Sequence, residues 1–271
     1  MAEASLFQYT VSEKDAAFVA RALGLGDADA VRARLAGDDR EVMLADARLF
    51  DALLSGGEPF VYVTPRLFFE ALLLRAVREM ARARYTIERD GAGRVPVFDA
   101  PGVASFASAP GVAGYLAHLL ASFTRIEGRT VRVRVRRGVW RKSRYNDLDV
   151  RSLVRRAEDA ADEERLPLYK RTADACLFIL GVFPDYPALT ARYPGSGALR
   201  PRLSGRLTTE EYEMTAQQAY AAAAGHPNMP AALAPLFECL SAHVAEAKKP
   251  LTFVAERYLG YRRTQLFNWG G

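Results

Sequence analysis

Residues 168–183 read LYKRTADACLFILGVF. Leu166-Pro167 precedes this run, and the apolar residues then fall on nearly every side of a predicted helix that ends at Phe183. A surface helix is normally apolar along one stripe, whereas a helix that is apolar all round is buried. Residues 168–183 therefore predict the central helix of a bundle.

The rest of the C-terminal half also has helical patterns. Asp147 is expected to cap the first of its helices, and Thr208 with Glu211 forms a capping box for a later one. Residues 184–207 contain four prolines and three glycines, which predicts a long loop or lid. The helices predicted around the central one cover residues 148–165, 208–224, 231–247 and 251–261.

The N-terminal half mixes helices with strands. Thr64 followed by Pro65 is a strong helix start, because threonine caps and proline suits the first helical position. Ser12 with Asp15 predicts an earlier helix start of the same kind. The helices predicted in this half cover residues 12–23, 28–35, 40–54, 66–84 and 103–123.

Three segments of the N-terminal half are predicted as strands. They are Phe60–Val63, a hairpin over 85–98 with a glycine-rich turn, and an alternating basic segment near residue 131. Together they would complete a small antiparallel sheet of about four strands. The predicted fold class is therefore mainly α (α+β): a helical bundle with a small antiparallel sheet in the N-terminal half. The expected lobes are 1–144 and 145–271, and one continuous domain stays open as the alternative.

Residues 168–184 also resemble a group of bacterial proteins with the pattern Gly-Asp-x-x-Leu-Phe-x-x-Gly-x-Phe-Pro. In this chain Ala173 stands where the pattern usually has glycine. The pattern continues into a later helix that holds a tyrosine near small residues, and Tyr220 matches that tyrosine. The resemblance spans residues 167–224 and implies a shared helical core. The group has no known activity, so the resemblance implies no function.

The positive charge of the chain is concentrated in one place. Residues 125–144 hold nine basic residues and one acid, a net charge of +8, while the whole chain carries +5. We call residues 129–144 the basic ribbon. Its valines and arginines alternate, which predicts a strand with two different faces. The alternating residues are Val131, Arg132, Val133, Arg134, Val135 and Arg136.

Such a cluster predicts contact with a polyanion. The basic side chains would bind phosphates, and Trp140 would stack on exposed bases. The residues predicted to bind nucleic acid are Arg129, Arg132, Arg134, Arg136, Arg137, Trp140, Arg141, Lys142 and Arg144. Two alternatives stay open. The charges protect an exposed sheet edge, or acids of the following segment neutralise them, namely Asp159, Asp162, Glu163 and Glu164.

Asp174 and Tyr220 are the second group of candidate site residues. A carboxylate on a buried helix is costly unless it finds a partner. Asp174 therefore either faces a pocket together with Tyr220 or anchors a neighbouring segment. Cys239 and His243 share a helix face, but the four ligands of a structural zinc site are not evident. We accordingly predict neither a metal nor a cofactor.

Several function classes lack their sequence signals. The chain has no phosphate-binding loop, dinucleotide-binding fingerprint, nucleophile elbow or zinc-protease helix. Its longest apolar run, residues 175–183, is too short to span a membrane, and its first residues lack the pattern of a secretion signal. Two cysteines in helical contexts suit a reducing cytoplasm.

The primary hypothesis is a non-enzymatic cytoplasmic protein that engages nucleic acid, or another polyanion such as an acidic protein, and no membrane. One alternative is a helical scaffold or regulatory protein that uses residues 184–207 and the tail Phe267–Trp269. The other is a small-molecule-binding or enzymatic bundle with a pocket near Asp174. The sequence predicts no oligomeric state.

Overall fold

A computed structural model describes residues 10–90, 93–124, 129–136, 139–145, 148–187 and 207–267, with only the backbone described for 89–90 and for the strands between 129 and 145. The fold is mainly α with small antiparallel strands, which confirms the predicted class. The chain divides into two compact units. Unit 1 takes its described residues from Met1–Thr124 and Lys249–Trp269, and unit 2 from Arg125–Lys248. The units differ from the expected lobes in two ways. The basic ribbon, expected in the N-terminal lobe, belongs to unit 2, and the last helices of the chain, expected in the C-terminal lobe, belong to unit 1.

Unit 1 is built on one long helix, Pro65–Arg82. Thr64 caps it as predicted, because its side chain accepts the N–H of Leu67 at 3.3 Å. Most residues from Arg66 to Met80 are buried, so this helix forms the core of the unit. The other helices of unit 1 are Glu13–Leu23, Ala28–Leu35, Arg40–Leu44, Ala47–Ser55, Pro59–Tyr62, Ala100–Ala107, Val112–Ser122, the π-helical Val254–Leu259 and Arg262–Leu266.

A buried carboxylate joins the first helix of unit 1 to the long one. Asp15 is fully buried and accepts the Thr64 N–H at 2.7 Å and the Thr64 hydroxyl at 2.9 Å. Both carboxylate oxygens are therefore satisfied, as a buried charge requires. The link joins positions 49 residues apart in the chain, and it lies at the start of the core helix.

The strand predicted over Phe60–Val63 is wrong. The segment is the short helix Pro59–Tyr62, which begins with its proline. Proline fixes φ near the helical value and lacks the N–H that the first helical turn leaves unpaired. This local constraint outweighs the β-propensity of the valine and tyrosine that follow.

The single helix predicted over residues 40–54 is two helices. They are Arg40–Leu44 and Ala47–Ser55, and Asp46 lies between them. The Asp46 carboxylate accepts the N–H of Arg48 at 2.8 Å, which caps the second helix and separates it from the first.

Unit 2 is organised by the central helix, Asp162–Val182. All eleven residues from Thr172 to Val182 are buried, which confirms the central position that the apolar run predicts. The predicted break at Leu166-Pro167 is wrong, because the helix runs through Pro167. This proline is exposed and lies near the start of the helix. The acidic residues of the first turn stabilise that end of the helix through its dipole.

Four further described helices surround the central helix or follow it. Val150–Asp159 is capped by Asp149, whose carboxylate accepts the Ser152 N–H at 3.1 Å, so the cap lies two residues after the predicted Asp147. The capping box of Thr208 and Glu211 is present as predicted. The helices that follow are Thr209–Ala224, Ala234–Ala242 and Val244–Phe253, whose last residues belong to unit 1.

The described strands form two separate two-stranded antiparallel sheets. The first hairpin pairs Thr86–Asp90 with Gly93–Val97, and the strands of the basic ribbon are Arg129–Arg136 and Val139–Tyr145. The predicted hairpin and the predicted basic strand are confirmed, but the pairing of that strand with Val139–Tyr145 was not predicted, and the expected joint sheet of four strands is wrong. Each antiparallel ladder closes locally through its own connection, and the two lie in different units.

Candidate functional site

The register of the basic ribbon decides which of its positions share a face. Arg132 lies opposite Lys142, and Arg134 lies opposite Trp140. Residues directly opposite one another share a face, as do residues two apart along a strand. One face, which we call the cationic face, therefore holds four basic positions and the tryptophan: Arg132, Arg134, Trp140, Lys142 and Arg144. The other face holds Arg129, Val131, Val133, Arg141, Ser143 and Tyr145.

A register shift interrupts the alternation near the end of the first strand. Arg136 lies opposite Val139, so one residue is inserted between the pairs of Arg134 and Arg136. Such a bulge bends a strand and increases its twist. The predicted arginine face is thus regular only as far as Arg134, and Arg136 is not assigned to it. Arg137 lies outside the described residues.

The acids expected to neutralise the basic ribbon are engaged elsewhere or exposed. Asp162 pairs with Arg165 of its own helix at 2.7 Å. Asp159, Glu163 and Glu164 are exposed and form no ion pair with another residue that the structure describes. The strands of the ribbon themselves contain seven basic residues and no acid. Internal neutralisation stays a prediction, because the side chains of the basic ribbon lie outside what the structure describes.

Asp174 and Tyr220, the second predicted group, meet in unit 2. The Tyr220 hydroxyl donates to Asp174 Oδ1 at 3.0 Å, and Lys170 Nζ donates to Oδ2 at 2.5 Å. Asp174 and Tyr220 are both fully buried, and the Lys170 side chain is 30% exposed. Lys170 was not among the predicted residues, although its position one helical turn before Asp174 would have indicated it.

This arrangement fits the anchoring alternative for Asp174. Both carboxylate oxygens are hydrogen-bonded, and the contact joins the central helix to Thr209–Ala224. The Tyr220 ring also packs edge-on against Phe237, with the ring centroids 5.7 Å apart. A pocket at Asp174 and Tyr220 stays a prediction.

An open cleft of about 440 Å³ lies elsewhere in unit 2, at the start of the central helix. His226 in its wall accepts the Asn228 N–H on Nδ1 at 3.1 Å, and its Nε2 lies 2.9 Å from the Asp162 carbonyl oxygen. The first contact leaves the proton on Nε2, which donates to that carbonyl. His226 is thus engaged with two other residues of the wall, and Arg165 pairs with the Asp162 carboxylate. The cleft is lined by Asp162, Glu163, Arg165, Tyr169, Ala222, Gly225, His226, Pro227 and Asn228.

The cysteines offer little for metal binding or nucleophilic chemistry. Cys176 is completely buried, and burial, assisted by the nearby Asp174 charge, raises the pKa of its thiol. Burial also raises the pKa of the Cys239 thiol. His243 turns its Nδ1 to the Cys239 carbonyl oxygen at 2.9 Å. Among the residues that the structure describes, no group of three or more His, Cys, Asp or Glu side chains is arranged to hold a metal.

The segments assigned to a scaffold surface are described only in part. Phe267 is fully buried and stacks on Phe69 at 5.5 Å, so its ring is a core contact of unit 1 and not an exposed docking residue. Residues 188–206, Asn268 and Trp269 lie outside the described residues.

Comparisons with known proteins add no relative to this geometry. No family model, no curated protein and no solved structure matches the chain. The resemblance of residues 168–184 to a bacterial group therefore stays a prediction. In the described part of the chain, no single helix has the length and apolar composition to cross a membrane, although Ala100–Ala107 and Val112–Ser122 meet both criteria as a pair bent by 84°.

Proposed function

We propose that the protein binds polyanions, and nucleic acids first among them, through the cationic face of the basic ribbon. The observation that carries the proposal is the register, which sets Arg132 opposite Lys142 and Arg134 opposite Trp140. Four basic positions thus share one face of a ribbon whose strands contain no acid.

The physical argument starts from repulsion within the ribbon. Like charges directly opposite one another destabilise an antiparallel pair. An anion bound along the cationic face removes that cost, and phosphate contacts release condensed counterions as well. Successive positions on one face lie roughly 7 Å apart along each strand. A two-stranded ribbon also fits the major groove of a duplex, while Trp140 can stack on an unpaired base.

The test is a salt titration of the purified, nuclease-treated protein with labelled single- and double-stranded DNA and RNA. If the four basic positions of the cationic face each contact a phosphate, the logarithm of the affinity should fall with that of the salt concentration with a slope of about −3 to −4 on duplex DNA. Arg132→Ala with Arg134→Ala should reduce this slope by about 2. Absence of binding at low salt would contradict the proposal.

A matched control distinguishes binding by the cationic face from a general effect of net charge. Arg129→Ala with Arg141→Ala removes the same charge from the opposite face of the ribbon. We expect this pair to weaken binding much less than the first pair. Equal losses for the two pairs would show that net charge, rather than the cationic face, accounts for the binding.

A further inference from the structure

The first hairpin exposes an apolar face. Ile87 lies opposite Pro96 in the register, and the flanking Tyr85 and Phe98 contact each other edge-on, with ring centroids 6.0 Å apart. Residues two apart along a strand share a face. Tyr85, Ile87, Pro96 and Phe98 therefore form one continuous surface, which we call the aromatic face.

The rings of the aromatic face are unusually accessible. Phe98 is 78% exposed and Tyr85 is 49% exposed. Ile87, between them on the same face, is 41% exposed. Large apolar side chains are normally removed from water, and a group of them left exposed marks an interaction surface.

The carboxylates next to this surface share one cation. Lys249 pairs with both Glu88 and Asp99, and Thr86 donates to Asp99 at 2.6 Å. The lysine offsets one of the two negative charges. Glu88 occupies the opposite face of the hairpin, since its register partner is Val95 and not a residue of the aromatic face. Its charge therefore does not lie on the aromatic face.

Exposed cations adjoin the same surface. Arg84 immediately precedes Tyr85, and Arg82 lies three residues before it at the end of the core helix. Both are exposed without an ion pair or hydrogen bond to any described residue. Arg94 is 59% exposed, and its contact with Glu256 is 3.4 Å long. The surroundings of the aromatic rings are therefore positively charged.

We propose that the aromatic face stacks unpaired bases of single-stranded nucleic acid, while Arg82 and Arg84 contact its phosphates. Exposed rings beside exposed cations are what a base-stacking site requires, because every base has a π face and every phosphate linkage a negative charge. An apolar protein partner would use the rings but has no need of the unpaired arginines. The inference concerns a surface of unit 1 and does not rest on the basic ribbon.

The test separates binding to the bases from binding to the sugar-phosphate backbone of the nucleic acid. Affinity is measured for a short oligothymidine and for an abasic strand of equal length and charge. The wild-type protein should prefer the strand with bases. Phe98→Ala, and more so Tyr85→Ala with Phe98→Ala, should lower affinity for oligothymidine at least about fivefold and leave affinity for the abasic strand unchanged.

Tyr261→Ala is the matched control, because Tyr261 is also 78% exposed but lies outside the hairpin. It should change neither affinity, and a circular dichroism melt checks that all variants are folded. Equal affinity of the wild-type protein for the two strands would overturn the inference. So would a Phe98→Ala variant that binds normally but loses self-association in sedimentation. Variants of the cationic face should lower the affinity for both strands together. Each of the two proposals can therefore fail while the other holds.

Discussion

The two hairpins share a backbone plan and differ in how they handle charge. Each is a lone antiparallel pair, and each sets one pair of basic residues opposite one another: Arg89 with Arg94, and Arg132 with Lys142. The strands of the first hairpin contain two acids and two bases, so they are neutral. The strands of the basic ribbon contain seven bases and no acid.

The difference shows that a like-charged cross-strand pair is tolerated in two ways. In the first hairpin, nearby acids compensate it, and Arg94 also reaches Glu256. Lys249 then compensates the acid Glu88 in turn. The basic ribbon has no such internal compensation in its strands, and the polyanion that we propose as its ligand would supply the counter-charge. Neutrality within the first hairpin and the proposed anion binding by the second would thus be two solutions to one electrostatic problem.

Removing Lys249 should have the largest effect. Lys249→Met leaves Glu88 and Asp99 without their shared cation, and the lysine side chain is only 9% exposed. Breaking a buried pair costs about 3–5 kcal/mol, and the partial exposure of the two acids reduces this to about 1–3 kcal/mol. Urea unfolding measures the change.

Lys14→Met serves as control for the Lys249 variant. Lys14 donates to a backbone carbonyl in an exposed contact, so its replacement should cost less than about 0.5 kcal/mol. Equal losses for the two lysines would contradict an anchoring role for Lys249.

Lys142→Glu should make the basic ribbon resemble the first hairpin, and its effect comes next in size. The substitution sets an acid opposite Arg132. An opposite-charge pair stabilises the ladder by about 0.2–1 kcal/mol, so the ribbon amides should exchange hydrogen more slowly. Polyanion affinity should fall about tenfold at low salt, since two units of charge are lost from the cationic face.

For Lys142→Glu, protection of the ribbon amides from hydrogen exchange should therefore rise while polyanion affinity falls. Glu88→Lys is the reciprocal change in the first hairpin, and it should accelerate exchange there without affecting the basic ribbon. Faster exchange in the Lys142→Glu ribbon would contradict the view that like-charge repulsion weakens it.

The smallest effect concerns acid pH. Burial disfavours the Asp99 charge, but hydrogen bonds from Lys249 and Thr86 outweigh this and hold the pKa of Asp99 below its ordinary 3.8. Its stabilisation is therefore complete above pH 3.8 and is lost as the pH falls through the lower folded value. Asp99→Asn should cost less than about 1 kcal/mol near neutral pH, and the difference from wild type should vanish in stronger acid. A difference that persists unchanged in acid would contradict this origin.

Local signals account for the correct part of the predicted fold. Ser12, Thr64-Pro65 and the Thr208–Glu211 box each act within one helical turn, so the sequence alone reveals these helix starts. The apolar run of the central helix likewise reports its own burial. Asp46 has the same capping chemistry, but the apolar periodicity on either side of it hid the break between two helices.

Non-local features account for what was missed. Whether two hairpins join into one sheet depends on packing between distant segments, which alternation does not encode. The sequence indicated Asp174 and Tyr220 as candidate residues. Because their hydrogen bond joins positions 46 residues apart, the sequence could not show that the two side chains meet. The aromatic face escaped notice because exposure, not residue type, distinguishes Phe98 from the buried phenylalanines.

The hydrogen bonds of Asp15 restrict where the chain can be shortened. The first described helix, Glu13–Leu23, has only eleven residues, and a truncation that deletes it would remove Asp15. It would also leave the Thr64 N–H without its acceptor, so the damage would appear at the start of the core helix Pro65–Arg82. The first helix of the chain is therefore a built-in part of unit 1, and a shortened protein should keep it from Ser12 onward.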